Sequence, residues 1–390
     1  MYVKREIEEY VIKAFKTFPV VALIGPRQSG KTTLVRYLFD KPYVNLEDPT
    51  EREFAVEDPK GFLNRFPDGA VIDEVQKVPS LLSYIQIMVD RKNKNGLFVL
   101  TGSNNFLLLK KVKQSLVGRV AIFKLLPLSI SELKKANMLP PSVNEILFKG
   151  FYPRVLIENQ DVNLAIRSYI ETYIERDLNE IINVKNRLLF RNFLKLCAGR
   201  TGQILNLTSI SNDLGISHTT VREWISVLET SFIVFLLPPY YKNVKKRVIK
   251  SPKMYFYDIA IVNSLLGIED KKELESFYLR GSIFENMVIS EILKYRYNQG
   301  KSENIFFYRD RTGNEIDLLY SKAGELSLFE IKSSYTITND FFKVFKKVES
   351  FLGDKIAKKI IIYSGEEEYE RERIKIINYK NINDVLKELD

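Results

Sequence analysis

Short apolar runs set among helical stretches dominate the first third of the chain: Val20–Ile24, Tyr43–Leu46, Ala70–Ile72, Leu97–Leu100 and Ala121–Leu126. Runs of this kind predict a parallel α/β layer, because a parallel strand is buried on both faces and needs no polar alternation. Ahead of them, MYVKREIEEYVIKAF reads as a charged amphipathic helix. From Glu145 to about Leu237 the pattern is mostly helical, and a proline-bounded basic segment, Tyr240–Lys253, follows. The last third predicts an amphipathic helix over Ser282–Tyr297 and two strand-like runs, Asn304–Tyr320 and Leu326–Lys332. A further helix and a strand over Lys359–Tyr363 come after them. The expected domains are 1–135, 136–265 and 266–390, a division that suits a chain of 390 residues.

Composition narrows the chemistry. A single cysteine, Cys197, and a single histidine, His218, exclude an intramolecular disulfide, a thiolate metal cluster and a His-rich metal site. What remains is carboxylates, lysines, hydroxyls and arginines. Cys197 and Trp224 sit in apolar helical patterns and read as core. With 59 Lys and Arg against 49 Asp and Glu, the net charge is +10. That excess suits a polyanionic partner such as DNA, and it equally suits solubility. No apolar run approaches the ~18 residues of a membrane span, and the first residues do not read as a targeting segment. The expectation is a cytoplasmic protein without a membrane partner.

Gly25-Pro26-Arg27-Gln28-Ser29-Gly30-Lys31-Thr32 matches G-x-x-x-x-G-K-[ST] between the strand Val20–Ile24 and a helix over Thr32–Phe39. Gly25 and Gly30 let the backbone curl so that its N–H groups face a phosphate chain, and the helix start adds its positive dipole end. Lys31 would reach the β- and γ-phosphates of ATP, with the Thr32 hydroxyl as a Mg2+ ligand and Thr33 completing the loop. Asp73 and Glu74 end the next apolar strand at the edge where α/β sheets bind ligands. Asp73 is the expected second holder of Mg2+, and Glu74 the group that polarises the attacking water. Ser103 and Asn104, past another strand, are candidates for the γ-phosphate or the lytic water. Arg119 is a candidate arginine finger, in cis or on a neighbouring subunit of a homo-oligomer.

Ile24–Thr33, Asn45-Leu46-Glu47-Asp48-Pro49, Ile72-Asp73-Glu74-Val75-Gln76, Thr101-Gly102-Ser103, Gly118-Arg119 and Leu126-Pro127-Leu128-Ser129 together resemble the prokaryotic AAA-type ATPases fused to a C-terminal domain of unknown function. The resemblance covers nearly the whole chain. It implies an additional-strand P-loop sheet, with one strand inserted between the P-loop strand and the Asp-Glu strand. Phe151-Tyr152-Pro153-Arg154 and Tyr173-Ile174-Glu175-Arg176-Asp177-Leu178 are similar to that family's linker and helices, and read as packing.

Leu207–Trp224 reads as helix, tight turn at Gly215 and second helix, with Thr208 and Ser217 as N-caps. Ile210, Leu214, Ile216, Val221 and Ile225 space as the core of a helix-turn-helix, leaving His218, Thr219, Arg222 and Glu223 outward. The following segment holds Lys242, Lys245, Lys246, Arg247, Lys250 and Lys253 with no acid, and looks like the wing of a winged helix. DNA contacts would fall to His218, Thr219, Arg222, Lys245, Lys246 and Arg247. The alternative is a winged helix used only for packing between domains.

Asp317, then thirteen residues on Glu330-Ile331-Lys332, resembles the PD-(D/E)xK pattern of restriction-endonuclease-like nucleases. Turns at Thr312–Gly313 and Ala323–Gly324 would bring the carboxylates onto adjacent strands, with Glu330 and Lys332 on one strand face. Asp317 and Glu330 would hold Mg2+ or Mn2+, Glu285 would support the metal from the preceding helix, and Lys332 would activate the water.

The expected architecture is therefore α/β throughout: a P-loop ATPase sheet, a helical and winged-helix middle, and a restriction-endonuclease-like C-terminal domain. The leading function is a MgATP-binding ATPase that acts on or docks to DNA, with DNA cleavage as a second activity to test. The alternative is a slow ATP-dependent switch or scaffold whose C-terminal domains make protein contacts without cutting DNA.

Overall fold

The apolar runs of the first third form one parallel sheet in the computed structural model, which describes residues 2–103, 115–177, 187–240, 250–310 and 312–390. The chain divides into two units. One comprises Met1–Leu128, Thr230–Ile233 and Arg296–Ser302; the other comprises Ser129–Glu229, Val234–Tyr295 and Glu303–Asp390.

In the first unit the order is α1 (Glu8–Thr17), β1 (Val20–Ile24), α2 (Lys31–Leu38), β2 (Tyr43–Asn45), α3 (Pro49–Glu57), α4 (Pro59–Asn64), β3 (Val71–Asp73), α5 (Leu81–Lys92), β4 (Phe98–Gly102) and β5 (Val120–Lys124). The sheet order is β2-β3-β4-β1-β5, all parallel. β4 lies between β1 and β3, as the resemblance implies. All five residues of β1 are buried, and Val21 and Leu23 pack with Leu34, Val35, Val71, Val99 and the Val11 face of α1. Each such side chain contributes roughly 1.5–3 kcal/mol by leaving water. Because every strand runs the same way, the loops after β1, β3 and β4 emerge on a common edge. β5 closes at Lys124, two residues before the apolar run ends. Pro127 has no N–H to donate, and the Arg5 guanidinium takes the Leu126 and Pro127 carbonyls.

The second unit begins with α6 (Ile130–Lys135), opened by a capping box between Ser129 and Glu132. Its next helices are α7 (Val143–Lys149), α8 (Val162–Tyr169), α9 (Arg187–Ala198), α10 (Leu207–Leu214) and α11 (His218–Thr230). α10 and α11 form the expected helix-turn-helix, with Gly215 left-handed at φ 66°. Ile210, Val221 and Ile225 are buried, whereas Leu214 and Ile216 are half-buried. Ser217 caps α11 through the Thr220 N–H. The cap of α10 is Asn206 rather than Thr208: its side chain accepts from the Ser209 N–H at 3.0 Å. Trp224 stacks edge-on to Phe190 and Phe193, beside buried Cys197.

A two-stranded antiparallel ribbon follows, β6 (Val234–Leu237) with β7 (Lys253–Phe256). Then come α12 (Ile259–Leu266), α13 (Arg280–Asn298), β8 (Ile305–Arg309), β9 (Glu315–Lys322), β10 (Glu325–Lys332), α14 (Asp340–Leu352), β11 (Ile356–Tyr363), β12 (Tyr369–Arg371), β13 (Ile374–Asn378) and α15 (Ile382–Leu389). The six-stranded sheet has the order β12-β13-β11-β10-β9-β8. β8, β9 and β10 form an antiparallel meander, while β10, β11 and β13 run parallel. The β9–β10 turn is made by Ala323 and Gly324, both with positive φ. β6 leads onto the free edge of β8, where the Tyr240 N–H donates to the Phe307 carbonyl at 2.8 Å and the Phe307 N–H to the Pro238 carbonyl at 3.1 Å. α13 departs from its expected amphipathic character, being buried all round in its second half. Its charges there are matched internally: Lys294 bonds Glu291 at 2.6 Å and lies 3.6 Å over the Phe151 ring.

Candidate functional sites: a phosphate-binding loop and a C-terminal acidic cluster

The P-loop leaves β1 through Gly25, whose missing Cβ would lie 2.1 Å from the Leu125 carbonyl oxygen. Gln28 and Gly30 take positive φ, 63° and 94°, and this bends the loop back onto the start of α2. Lys31 opens that helix. Its ammonium is buried and donates to the Gly25 and Pro26 carbonyls at 3.0 and 2.7 Å. Burial pulls its pKa down to about 8, against the opposing pull of Glu74 and Asp73.

Asp73 ends β3 and collects donors from three elements. One oxygen accepts from the Thr32 hydroxyl at 2.7 Å and the Tyr43 hydroxyl at 2.7 Å. The other accepts from the Glu74 N–H at 3.1 Å and from the Thr101 hydroxyl. The Thr32 hydroxyl beside the Asp73 carboxylate is a hard-oxygen donor set, and it suits Mg2+. Glu74 follows in a left-handed conformation at φ 55°, which turns its side chain toward β4. There its carboxylate accepts from the Ser103 hydroxyl at 3.1 Å and from the Gln76 amide. Tyr43, Thr101 and Gln76 are site residues that the sequence reading did not single out.

The second cluster lies on the six-stranded sheet. Asp317 on β9 accepts from the Ile331 N–H at 2.8 Å. Glu330 and Lys332 flank Ile331 on β10, and the Lys332 ammonium sits 2.5 Å from Glu330 and 3.6 Å from Asp317. Burial and then the Asp317 charge push the Glu330 carboxyl up to about 8. Its Oε2 is buried with no hydrogen-bond partner among the described residues. Glu285, from α13, faces the same cluster, but its Oε1 accepts from Lys253 at 3.0 Å and from the Tyr255 hydroxyl at 2.5 Å. Lys253 also pairs with Glu315, which holds Arg309 at 2.9 Å. Burial opposes the charge on Lys253, yet Glu285, Asp317 and Glu315 hold its pKa above the ordinary lysine value. Lys253 therefore leaves the set of wing bases proposed from sequence: it is 3% exposed and turned inward to the acids. Among the described residues, no three His, Cys, Asp or Glu side chains stand in a metal-holding group.

Residues 17–134 match the AAA domain family, and they carry the P-loop, Asp73, Glu74 and Ser103 in the geometry above. This part of the chain is an AAA-type P-loop ATPase domain. Beyond the ATPase domain, residues 141–272 and 280–382 each match a domain of unknown function, DUF8612 and DUF4143. The chain is 27% identical over 372 residues to the uncharacterized protein Rv2008c of Mycobacterium tuberculosis, covering 94% of this chain and 81% of that one. It is 24% identical over 382 residues to the uncharacterized protein MJ1544 of Methanocaldococcus jannaschii, with coverage of 89% and 82%. Among solved structures, the Walker-type ATPase PABY2304 of Pyrococcus abyssi is similar at a TM-score of 0.45 and 16% identity, over 67% of this chain and 94% of that one.

Within the ATPase domain, two arginines take unexpected positions. The Arg119 carbonyl accepts from the Val20 N–H, so Arg119 lies at the start of β1 while the P-loop lies past its end. That separation is roughly 13 Å at about 3.3 Å per residue. Its guanidinium is folded onto Asp90 of α5, at 2.5 and 3.0 Å. In this structure the Arg119 guanidinium is thus paired away from the P-loop of its own chain. Arg5 was not a candidate, yet it is 5% exposed and donates to the carbonyls of Ser29, Leu126 and Pro127 at 3.0, 2.8 and 3.3 Å. It ties the P-loop to the end of the sheet.

Of the remaining expected contacts, His218, Thr219 and Arg222 are exposed on α11. Asn104, Lys242, Lys245, Lys246 and Arg247 lie outside the described residues. Thr33 is exposed one residue past Thr32. Among the described residues, no helix is long and apolar enough to cross a membrane.

Proposed function

We propose that the protein is a MgATP-hydrolysing ATPase that acts on or docks to DNA, with a nuclease-like C-terminal site. In the ATPase step, Lys31 and the P-loop N–H groups bind the phosphates of ATP, and Thr32 and Asp73 would hold Mg2+. When bound, that ion neutralises charge on the phosphates. Glu74, oriented by Ser103 and Gln76, takes the proton from a water as the water attacks the γ-phosphorus. The bond to ADP then breaks and phosphate leaves. Arg119, paired with Asp90 away from its own loop, serves a neighbouring subunit of a homo-oligomer. The winged-helix module, α10, α11 and the β6–β7 ribbon, contacts DNA through His218, Thr219 and Arg222, with Lys245, Lys246 and Arg247 on the wing.

The observation that carries the DNA reading is the meeting of Asp317, Glu330 and Lys332 on two adjacent strands of an α-β-β-β-α-β unit. The partnerless Glu330 oxygen fits a cation, and Lys332 is placed to orient a water against a phosphodiester. One observation favours the rival reading, a docking or scaffold module without cleavage: Glu285 and Glu315 are already neutralised by Lys253. Incubation of supercoiled plasmid with Mn2+, with and without ATP, separates the two. Nicking by wild type that is absent in Lys332→Ala supports cleavage. Intact plasmid with both proteins leaves the docking ATPase.

A further inference from the structure

We infer that Lys253 is a further positioning residue of the C-terminal acidic site, which by holding Glu285 and Glu315 confines the site to one divalent cation, taken by Asp317 and Glu330. The inference rests on the nuclease-like reading and adds a residue from outside the β8–β10 meander to it. Four carboxylates converge here, and they divide into two pairs. Glu285 and Glu315 share the Lys253 ammonium, and the Tyr255 hydroxyl uses the same Glu285 oxygen. Lys253 and Tyr255 lie two apart on β7, so one strand face of the ribbon delivers both. Asp317 and Glu330 share the Lys332 ammonium, Asp317 also accepts from the Ile331 N–H, and the second oxygen of Glu330 has no partner among the described residues although Glu330 is 7% exposed.

A buried carboxylate oxygen is costly to leave without a partner. A hard divalent ion takes oxygen ligands and keeps several waters, so two carboxylates suffice for it. On the other side of the cluster, a lysine already supplies the positive charge that a second ion would bring.

The test counts Mn2+ bound to the full chain, by electron paramagnetic resonance of the free ion. It uses an Asp73→Asn background, so that the P-loop site contributes nothing. One ion per chain, lost in Glu330→Gln, is expected. Lys253→Met removes a unit charge from beside the site and should tighten Mn2+ binding by about ten-fold or add a second ion. Lys253→Met with Glu315→Gln keeps the net charge and protects folding; it releases Glu285 alone and should show a smaller gain, whereas Lys253→Arg should bind as the background does. Glu330-dependent binding that is unchanged or weakened in both Lys253→Met proteins overturns the role of Lys253 and leaves the nuclease-like site standing. Absence of any Glu330-dependent binding in all the proteins overturns both.

Discussion

Arg5 offers the sharpest test of how the ATPase domain holds its P-loop. Arg5→Met keeps much of the buried aliphatic stem and removes the guanidinium. The carbonyls of Ser29 and Leu126 then lose donors at 3.0 and 2.8 Å, and that of Pro127 a longer one at 3.3 Å. Hydrogen bonds from a charged donor are worth about 1.5–3 kcal/mol each. Counting only the two shorter bonds, the first unit loses about 4 kcal/mol, a large part of a typical domain's stability. In urea, with a slope of about 2 kcal/mol per molar, the midpoint of that unit's transition falls by about 2 M. Nucleotide affinity should fall as well, because Ser29 precedes Gly30 and Lys31 in the loop. Both quantities come from one preparation: urea melts followed by fluorescence, and titration with a fluorescent ATP analogue. A variant with the wild-type midpoint and affinity would show that the three carbonyls find water or other donors, and the tether would have no energetic meaning.

Gly25→Ala forces a Cβ to within 2.1 Å of the Leu125 oxygen; β1 and the end of β5 must part, and affinity for the ATP analogue should drop at least about ten-fold, so an unchanged titration would contradict the loop geometry. Asp258 is buried, accepts from the N–H groups of Phe151 and Ala260 at 2.8 and 2.9 Å, and burial pushes its carboxyl up to about 6. With the folded pKa above the unfolded one, the unfolded chain loses its proton first, so stability falls as pH rises from about 4 to about 6, by roughly 3 kcal/mol, and is level above. Asp258→Asn should remove that slope from urea midpoints measured across the window, and an identical slope in the variant would assign it elsewhere. For Arg119, hydrolysis should be low in Arg119→Ala alone and in Lys31→Ala alone, and should recover on mixing the two. A mixture that stays inactive ends its role as a finger in trans.

The ATPase domain was legible because its signals are local. β1 is apolar from Val20 to Ile24 and appears residue for residue, since a central parallel strand has no solvent face to interrupt it. Gly25 to Thr32 and the pair Asp73–Glu74 are contiguous motifs. Among the residues that were missed, Tyr43 and Thr101 reach Asp73 from 30 and 28 residues away, and Arg5 reaches Leu126 across 121. α13 was expected to be amphipathic, but its Glu291 and Lys294 neutralise each other inside, a pairing that no helical periodicity reveals. Lys253 was hidden among neighbouring bases. The available clue was its spacing: Lys253 and Tyr255 alternate with Met254 and Phe256, which is the pattern of a strand with one polar face turned to a partner. Asn206 and Thr208 both qualify as caps by type, and only the backbone chooses between them.

The union of β6 with the edge of β8 has an evolutionary corollary. Residues 141–272 and 280–382 correspond to separate sequence families, yet the earlier piece covers the open edge of the later one and contributes the lysine that balances its acids. Cut apart, the later piece would present an unsatisfied strand edge, a template for sticking to its own kind, and two half-buried carboxylates stripped of their counter-charge. The two pieces are thus poor candidates for independent shuffling between genes. Lineages that keep one are expected to keep the other, with changes at Lys253 tracked by changes at Glu285 or Glu315.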